Sequence, residues 1–280
     1  MSQFEGRVAV VTGAGSGIGR ALALGLAARG AHLALADVDA PGLAQTEQAA
    51  KEAGAEVMSR EVDVSDRTAV AAFAAAVVDE YGRVNQVYNN AGIAFARFVT
   101  DTTYEHWEKV MAVNFWGVVH GTKEFLPALV ASGDGHVVNI SSINGVMAQA
   151  QMSHYVTSKF AVRGFTETLR VEVAEQKLPV RVTCVHPGGV RTHIADGAIE
   201  VGRELGLELT PADAARREAY NRKILRMDPA RAADIILRGV ARNRTRVLVG
   251  SDARALDVVC RLFPGSYERV LAPIMKGMTK

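Results

Sequence analysis

Apolar runs of strand length alternate along the chain with longer stretches whose apolar residues recur at helical spacing. The strand-length runs are Val8 to Thr12, Leu33 to Asp37, Glu56 to Val62, Val84 to Asn89, His136 to Ser141, Val180 to Val185 and Thr245 to Val249. Helical periods fill the intervals at Ile18 to Arg29, Pro41 to Ala53, Arg67 to Tyr81, Tyr104 to Ser132, Tyr155 to Gln176 and Arg231 to Arg242. This alternation predicts a doubly wound α/β fold, a seven-stranded parallel sheet with helices on both faces. Gly30, Gly54, Gly82 and Gly133 fall just past helical stretches, where glycine closes a helix in the left-handed conformation.

One connection is too long for the rhythm. Residues 190–228 follow a strand's carboxyl end, the edge where open α/β sheets bind ligands, and carry Ile194, Ile199, Val201, Leu205, Leu207 and Leu209. A folded substrate-binding lid is expected there. Residues 251–280 are expected to form a helical extension of a single domain that spans residues 1–280.

Composition narrows the class. With 49% hydrophobic and 22% charged residues, the chain is expected to fold around a core rather than stay disordered. Cys184 and Cys260 stand too far apart for a CxxC pair, and a reducing cytoplasm fits them best. The chain enters its first strand at once, so no signal peptide is expected, and its longest apolar stretch is about half of what a bilayer span needs. A net charge of +2 argues against nucleic acid, although from Pro211 onward fifteen Lys or Arg face seven Asp or Glu. That basic, apolar tail is read either as packing on the lid or as lying on a membrane surface. None of the seven histidines has HxH or HExxH spacing, so no metal is expected. His154 and His193 read as surface or structural, Cys184 as core, and Trp107 and Trp116 as packing or interface residues.

The chemistry concentrates in two places. The first strand runs into Thr12-Gly13-Ala14-Gly15-Ser16-Gly17-Ile18-Gly19 and then a helix, a turn that lets backbone and helix N-terminus approach a pyrophosphate. Asp37 ends the next strand about twenty residues on, where a carboxylate accepts both hydroxyls of an adenosine ribose. Tyr155 and Lys159 lie four apart on a helical stretch and share a face. A free tyrosine is almost wholly protonated at neutral pH, and a neighbouring ammonium makes it a usable base. Ser142, at the end of the fifth strand, is placed to hydrogen-bond an alcohol or carbonyl oxygen there. Asn114 alone reads as a satisfied helix-interior amide.

With these residues in order, the chain resembles the short-chain dehydrogenase/reductase family over most of its length. Thr12 to Gly19 matches its TGxxxGIG motif, Asp63-Val64 its adenine-contacting pair, and Asn89-Asn90-Ala91-Gly92 its NNAG motif. Asn114, Ser142, Tyr155 and Lys159 fall on its catalytic tetrad, and Pro187-Gly188 with Val190 and Thr192 on the segment that holds the nicotinamide end. The resemblance implies that Gly13, Gly15, Ser16, Gly17, Ile18, Gly19, Asp37, Asp63, Val64, Asn90 and Gly92 contact the dinucleotide. It implies that Tyr155 transfers the proton, Lys159 holds the ribose, Ser142 polarises the substrate oxygen, and Asn114 holds a water linking Lys159 to solvent. NAD(H) is expected over NADP(H), because Asp37 repels a 2′-phosphate and neither Ser16 nor Val38 is basic; Arg20 is the residue best placed to override it. Expected substrates are bulky apolar or aromatic alcohols and ketones. A homotetramer or homodimer is expected, pairing the stretches Tyr104 to Ser132 and Tyr155 to Gln176. The rival is a dinucleotide-binding sensor or scaffold without turnover, which has no need of Ser142, Tyr155 and Lys159. A sugar-nucleotide epimerase would carry a TGxxGxxG loop and a larger C-terminal domain.

Overall fold

In the computed structural model, the described residues are 3–192, 218 and 222–271. The strands are β1 (Val8–Thr12), β2 (His32–Asp37), β3 (Val57–Glu61), β4 (Gln86–Asn89), β5 (Gly135–Ile140), β6 (Val180–Pro187) and β7 (Arg246–Val249). They form one parallel sheet in the order β3-β2-β1-β4-β5-β6-β7. The chain winds outward from β1 to β3, then crosses back to place β4 on the other side of β1. The carboxyl ends of β1 and β4 therefore flank the point where strand order reverses, and the loops leaving them part to form a crevice.

The helices are α1 (Gly17–Ala27), α2 (Ala40–Glu52), α3 (Arg67–Tyr81), α4 (Tyr104–Met111), α5 (Gly117–Ala131), α6 (Ser153–Glu175), α7 (Pro229–Ala241) and α8 (Ser251–Leu262). Central strands are buried at every position, because helices cover both faces. On one face Leu22 and Leu26 of α1 and Ile236 and Leu237 of α7 pack on Val11, Leu35 and Val249. On the other, Phe73, Phe125, Leu129 and Val173 pack on Val10, Val87 and Val137, with the Phe73 and Phe125 rings edge to face at 5.9 Å. Local chemistry starts the helices where the pattern expects them. Asp39, Asp66 and Asp228 each accept a first-turn backbone N–H, and Thr103 and His106 form a reciprocal capping box. Gly30, Gly54, Gly82 and Gly133 all take positive φ.

One predicted element is corrected. Tyr104 to Ser132 is not a single α-helix: a π-helical turn, Ala112–Trp116, separates α4 from α5. The wider turn brings Asn114 to the crevice, and it is offset by bonds that an apolar residue cannot make. Periodicity misses it because the apolar stripe continues through a single wide turn.

Residues 193–217 and 219–221 of the expected lid, including His193 and the apolar positions Ile194 to Leu209, lie outside the described residues. The ends of the segment are pinned together: Val190 bridges Met227, Arg191 N–H donates to the Met227 carbonyl, and Arg226 N–H to that of Gly189. The extension begins with α8, continues in a helical turn over 267–271, and leaves the described residues at 272. Its Ala253, Cys260 and Leu271 pack on Ile143 and Met147, in the segment that follows β5. Among the described residues, no helix is long and apolar enough to cross a membrane.

Candidate active site

The glycine turn closes tightly around its own backbone. A Cβ at Gly13 would sit 2.8 Å from the Ala91 Cα, and one at Gly19 would strike the Gly13 carbonyl. Gly13 and Gly17 have positive φ, which permits the turn without steric cost. Ser16 precedes α1 without capping it, so the first N–H groups of that helix carry no side-chain partner there. The Thr12 hydroxyl accepts the N–H groups of Asn90 at 3.0 Å and Ala91 at 3.2 Å. In return the Asn90 amide donates to the carbonyls of Thr12 and Gly13. Asn90 thus braces the turn, tying the end of β4 to the end of β1.

Asp37 reaches back to the same turn. Its Oδ2 accepts the Gly15 N–H at 2.7 Å and its Oδ1 the Asp39 N–H at 2.9 Å. Arg20 donates to the carbonyls of Gly15 and Gly42, to Gln45 Oε1 and to Thr46 Oγ1. Its guanidinium is engaged in holding the turn to α2. Asp63 accepts the N–H and hydroxyl of Ser65, and buried Val64 lies against Gly117, leaving no room for a Cβ there. The buried glycines, the uncapped α1 and the acid at the end of β2 together fit a dinucleotide.

The second group gathers across the crevice. Lys159, 3% exposed, donates from Nζ to the Ile140 carbonyl at 3.1 Å, while the Ser141 hydroxyl donates to the Lys159 carbonyl at 2.8 Å. The end of β5 and the first turns of α6 are thereby stitched together. Lys159 Nζ lies 5.7 Å from the centroid of the half-buried Tyr155 ring. Burial pushes the Lys159 ammonium down to about 8, since the interior disfavours its charged form.

Asn114, fully buried, accepts the Ile93 N–H at 2.8 Å and donates to the Ile93 carbonyl at 2.9 Å and to Ser158 Oγ at 3.1 Å. A Cβ on Gly92 would lie 3.2 Å from Asn114 Oδ1 and 3.4 Å from Lys159 Nζ, so these three positions adjoin. Ser142 Oγ accepts the Asn144 N–H, and the Ser142 carbonyl meets His186 Nδ1 at 2.9 Å. Burial drops His186 to about 4, which leaves it neutral, and the carbonyl partner assigns the proton to Nδ1. Pro187 ends β6 and Gly188 lies close against Asp252, whose carboxylate accepts the Gly189 N–H at 2.7 Å. Val190 is buried, and the Thr192 side chain abuts Gly17.

The fold thus brings together the residues singled out from the sequence, at the carboxyl edge of the sheet. The residue-by-residue reading missed those that brace them: Thr12 as a hydroxyl partner, Ser141, Ser158, His186, and from the extension Asp252 and Tyr267. Tyr267 Oη accepts the Ala148 N–H at 3.0 Å. Only the polar character of Ser141 and His186 within an apolar strand run signals them in advance.

A family model described as short chain dehydrogenase matches residues 7–200. The chain belongs to that family. The dehydrogenase is 50% identical over 276 residues to SadH of Mycobacterium tuberculosis, named as an oxidoreductase, covering 97% of this chain and 96% of that protein. A short-chain dehydrogenase/reductase from Burkholderia phymatum, solved in complex with NAD, superposes with a TM-score of 0.87 at 32% identity, covering 94% and 96% of the two chains. The solved levodione reductase superposes with a TM-score of 0.77 at 29% identity, covering 91% and 99%. The chain is an NAD(P)-dependent oxidoreductase of the short-chain dehydrogenase family.

Proposed function

We propose that the enzyme is an NAD(H)-preferring dehydrogenase/reductase of bulky apolar alcohols and ketones, with Tyr155 as its proton-transfer group. The observation that carries this reading is the buried Lys159 ammonium 5.7 Å from the Tyr155 ring, beside Asn114 and Gly92. A bound nicotinamide supplies or accepts the hydride. Gly13, Gly15, Ser16, Gly17, Ile18 and Gly19 would hold its pyrophosphate, Asp37 the adenosine ribose, and Asp63, Val64, Asn90 and Gly92 the adenine side and floor. Pro187, Gly188, Val190 and Thr192 would hold the carboxamide end. Tyr155 gives a proton to the substrate oxygen in reduction and takes it in oxidation. Lys159 favours the phenolate through its charge and binds the nicotinamide ribose. Ser142 donates to the substrate oxygen, and Asn114 holds a water that relays protons to Lys159.

NAD(H) preference follows from Asp37, whose charge repels a 2′-phosphate, and from the engagement of Arg20 with the glycine turn. The apolar preference is supported by the apolar cluster that follows Ser142, where Ile143 and Met147 pack with the extension. Apolar burial contributes about 25 cal/mol per Å², so a large hydrocarbon substrate gains more there than a small polar ketone. Buried free Cys184 and Cys260 suit a reducing cytoplasm. A panel of small and bulky secondary alcohols and ketones, followed by nicotinamide absorbance with NAD(H) and NADP(H), tests the reading. Turnover of the bulky members with NAD(H) is expected, and binding without turnover across the panel would favour the sensor alternative.

A further inference from the structure

The residue before Tyr155 is fully buried, and its ring reaches across to a segment 59 residues away in sequence. His154 Nε2 lies 3.0 Å from the Phe95 carbonyl. A carbonyl only accepts, so Nε2 carries the proton and Nδ1 is the bare nitrogen. The Nδ1 atom is buried with no hydrogen-bond partner among the described residues, which suits a neutral ring and penalises a second proton. Burial lowers the affinity of His154 for that proton and outweighs the bond to the Phe95 carbonyl, which raises it. The ring stacks on Phe95 at 4.1 Å and 23°, and the Trp107 ring stands edge-on to it at 6.2 Å.

Phe95 belongs to the segment that leaves β4, and the site residues already hold its beginning. Gly92 adjoins Lys159 Nζ, and Ile93 is bonded through both backbone groups by Asn114. At its far end Arg97 N–H donates to the Gln151 carbonyl at 2.8 Å, and Arg97 bridges Met152. Gln151 takes a φ of +66°, a conformation costly for any residue that carries a Cβ, two residues before α6. Residues 92–97 therefore span from Lys159 to the start of the helix that carries Tyr155. His154 is the side chain that fastens the middle of this span.

We propose that His154 is a positioning residue: its Nε2–H bond to the Phe95 carbonyl fixes residues 92–97 against the start of α6 and so sets substrate affinity. The proposal rests on reading this crevice as the alcohol and ketone site. The cofactor side of the site has its own braces, Thr12, Asn90 and Asp37, none of which touches His154.

Two variants separate the bond from the ring. His154→Phe keeps a ring against Phe95 and Trp107 but leaves the carbonyl without its donor, whereas His154→Gln restores an amide donor. For the best ketone of the panel, His154→Phe is expected to raise KM about tenfold, with kcat and the NADH Kd from fluorescence titration within about twofold of wild type. His154→Gln is expected to recover most of the loss in KM. An unchanged KM in His154→Phe, equal losses in both variants, or a loss that follows the NADH Kd would overturn the proposal. Should His154→Phe not fold, nitrogen NMR of the wild-type histidines at pH 7 decides: His154 protonated on Nε2 alone supports the bond, and protonation on Nδ1 alone refutes it. The NMR measurement needs no turnover. A wild-type enzyme inactive across the whole panel would therefore count against the functional reading, while the tautomer still reports on the bond.

Discussion

Tyr155 and Lys159 sit on adjacent turns of α6, yet their environments differ: the phenol is half-buried at the crevice and the ammonium is sealed beneath it. Tyr155→Phe keeps the ring and removes the hydroxyl that carries the transferable proton. Turnover is expected to fall by about 10²- to 10⁴-fold while the NADH Kd stays near wild type. Lys159 also makes a prediction for the unliganded protein. Its folded pKa of about 8 lies below the unfolded value of 10.5, so between those pH values the unfolded chain binds more protons and stability rises with pH. Below pH 8 the burial of this charge costs on the order of 3 kcal/mol. Lys159→Met is therefore expected to melt above wild type at pH 7, with the gap narrowing toward pH 10. The same variant should bind NADH more weakly and lose turnover, since the charge serves both. Burial pushes the Cys184 thiol up to about 12, so it stays uncharged through that window and adds no charge beside Lys159. At Asp37, kcat/KM is expected to favour NAD(H) over NADP(H). A reversal would mean that Arg20 leaves the Gly15 and Gly42 carbonyls to meet a 2′-phosphate.

At the scale of elements, the extension after β7 braces the loops of the site. Asp252 at the start of α8 holds the Gly189 N–H, Tyr267 holds the Ala148 N–H, and Leu271 is buried with Ile143 and Met147. Arg246 of β7 grips Asp257 of α8 through both of its terminal nitrogens, anchoring the helix to the sheet. Truncation before Ser251 is therefore expected to lower the melting temperature and raise KM for bulky substrates in plain buffer. Unchanged soluble kinetics with lost binding to anionic vesicles would assign the tail to a membrane surface instead. Among the described residues of the tail, Val258, Leu262, Phe263 and Val270 are exposed apolar residues available for that alternative.

At the scale of the whole molecule, strand order places the cofactor turn and the Tyr155 group on one edge. The reversal of strand order between β1 and β4 leaves their loops facing each other across the crevice. The outer face of α6 leaves Phe160 and Val171 exposed, and Trp116 is exposed just before α5. Apolar residues at such positions suit pairing of these helices around twofold axes. Light scattering at micromolar concentration is expected to report a tetramer. A monomer would contradict the pairing, and a dimer would mean that only one of the two interfaces forms.

The sequence alone determined the layering, because apolar period reports which faces are buried: all seven strands, their parallel sense and most helix boundaries were legible within a few residues. The glycine turn was legible too, since only glycine tolerates its φ values and contacts, and so was the Tyr155 to Lys159 pair, whose spacing is a local property of a helix. What lies between distant segments was not legible. The π-turn at Asn114 arises because Ile93 and Ser158 offer its amide partners, and both lie far off in sequence. His154 reads as an ordinary surface or structural histidine until the fold lays Phe95 against it, and Asp252 gives no sign until Gly189 is brought within reach. A hydrogen bond between remote residues leaves no periodic trace along the chain. Tertiary structure alone decided which polar residues brace the site, because that choice depends on which loops meet at the edge of the sheet.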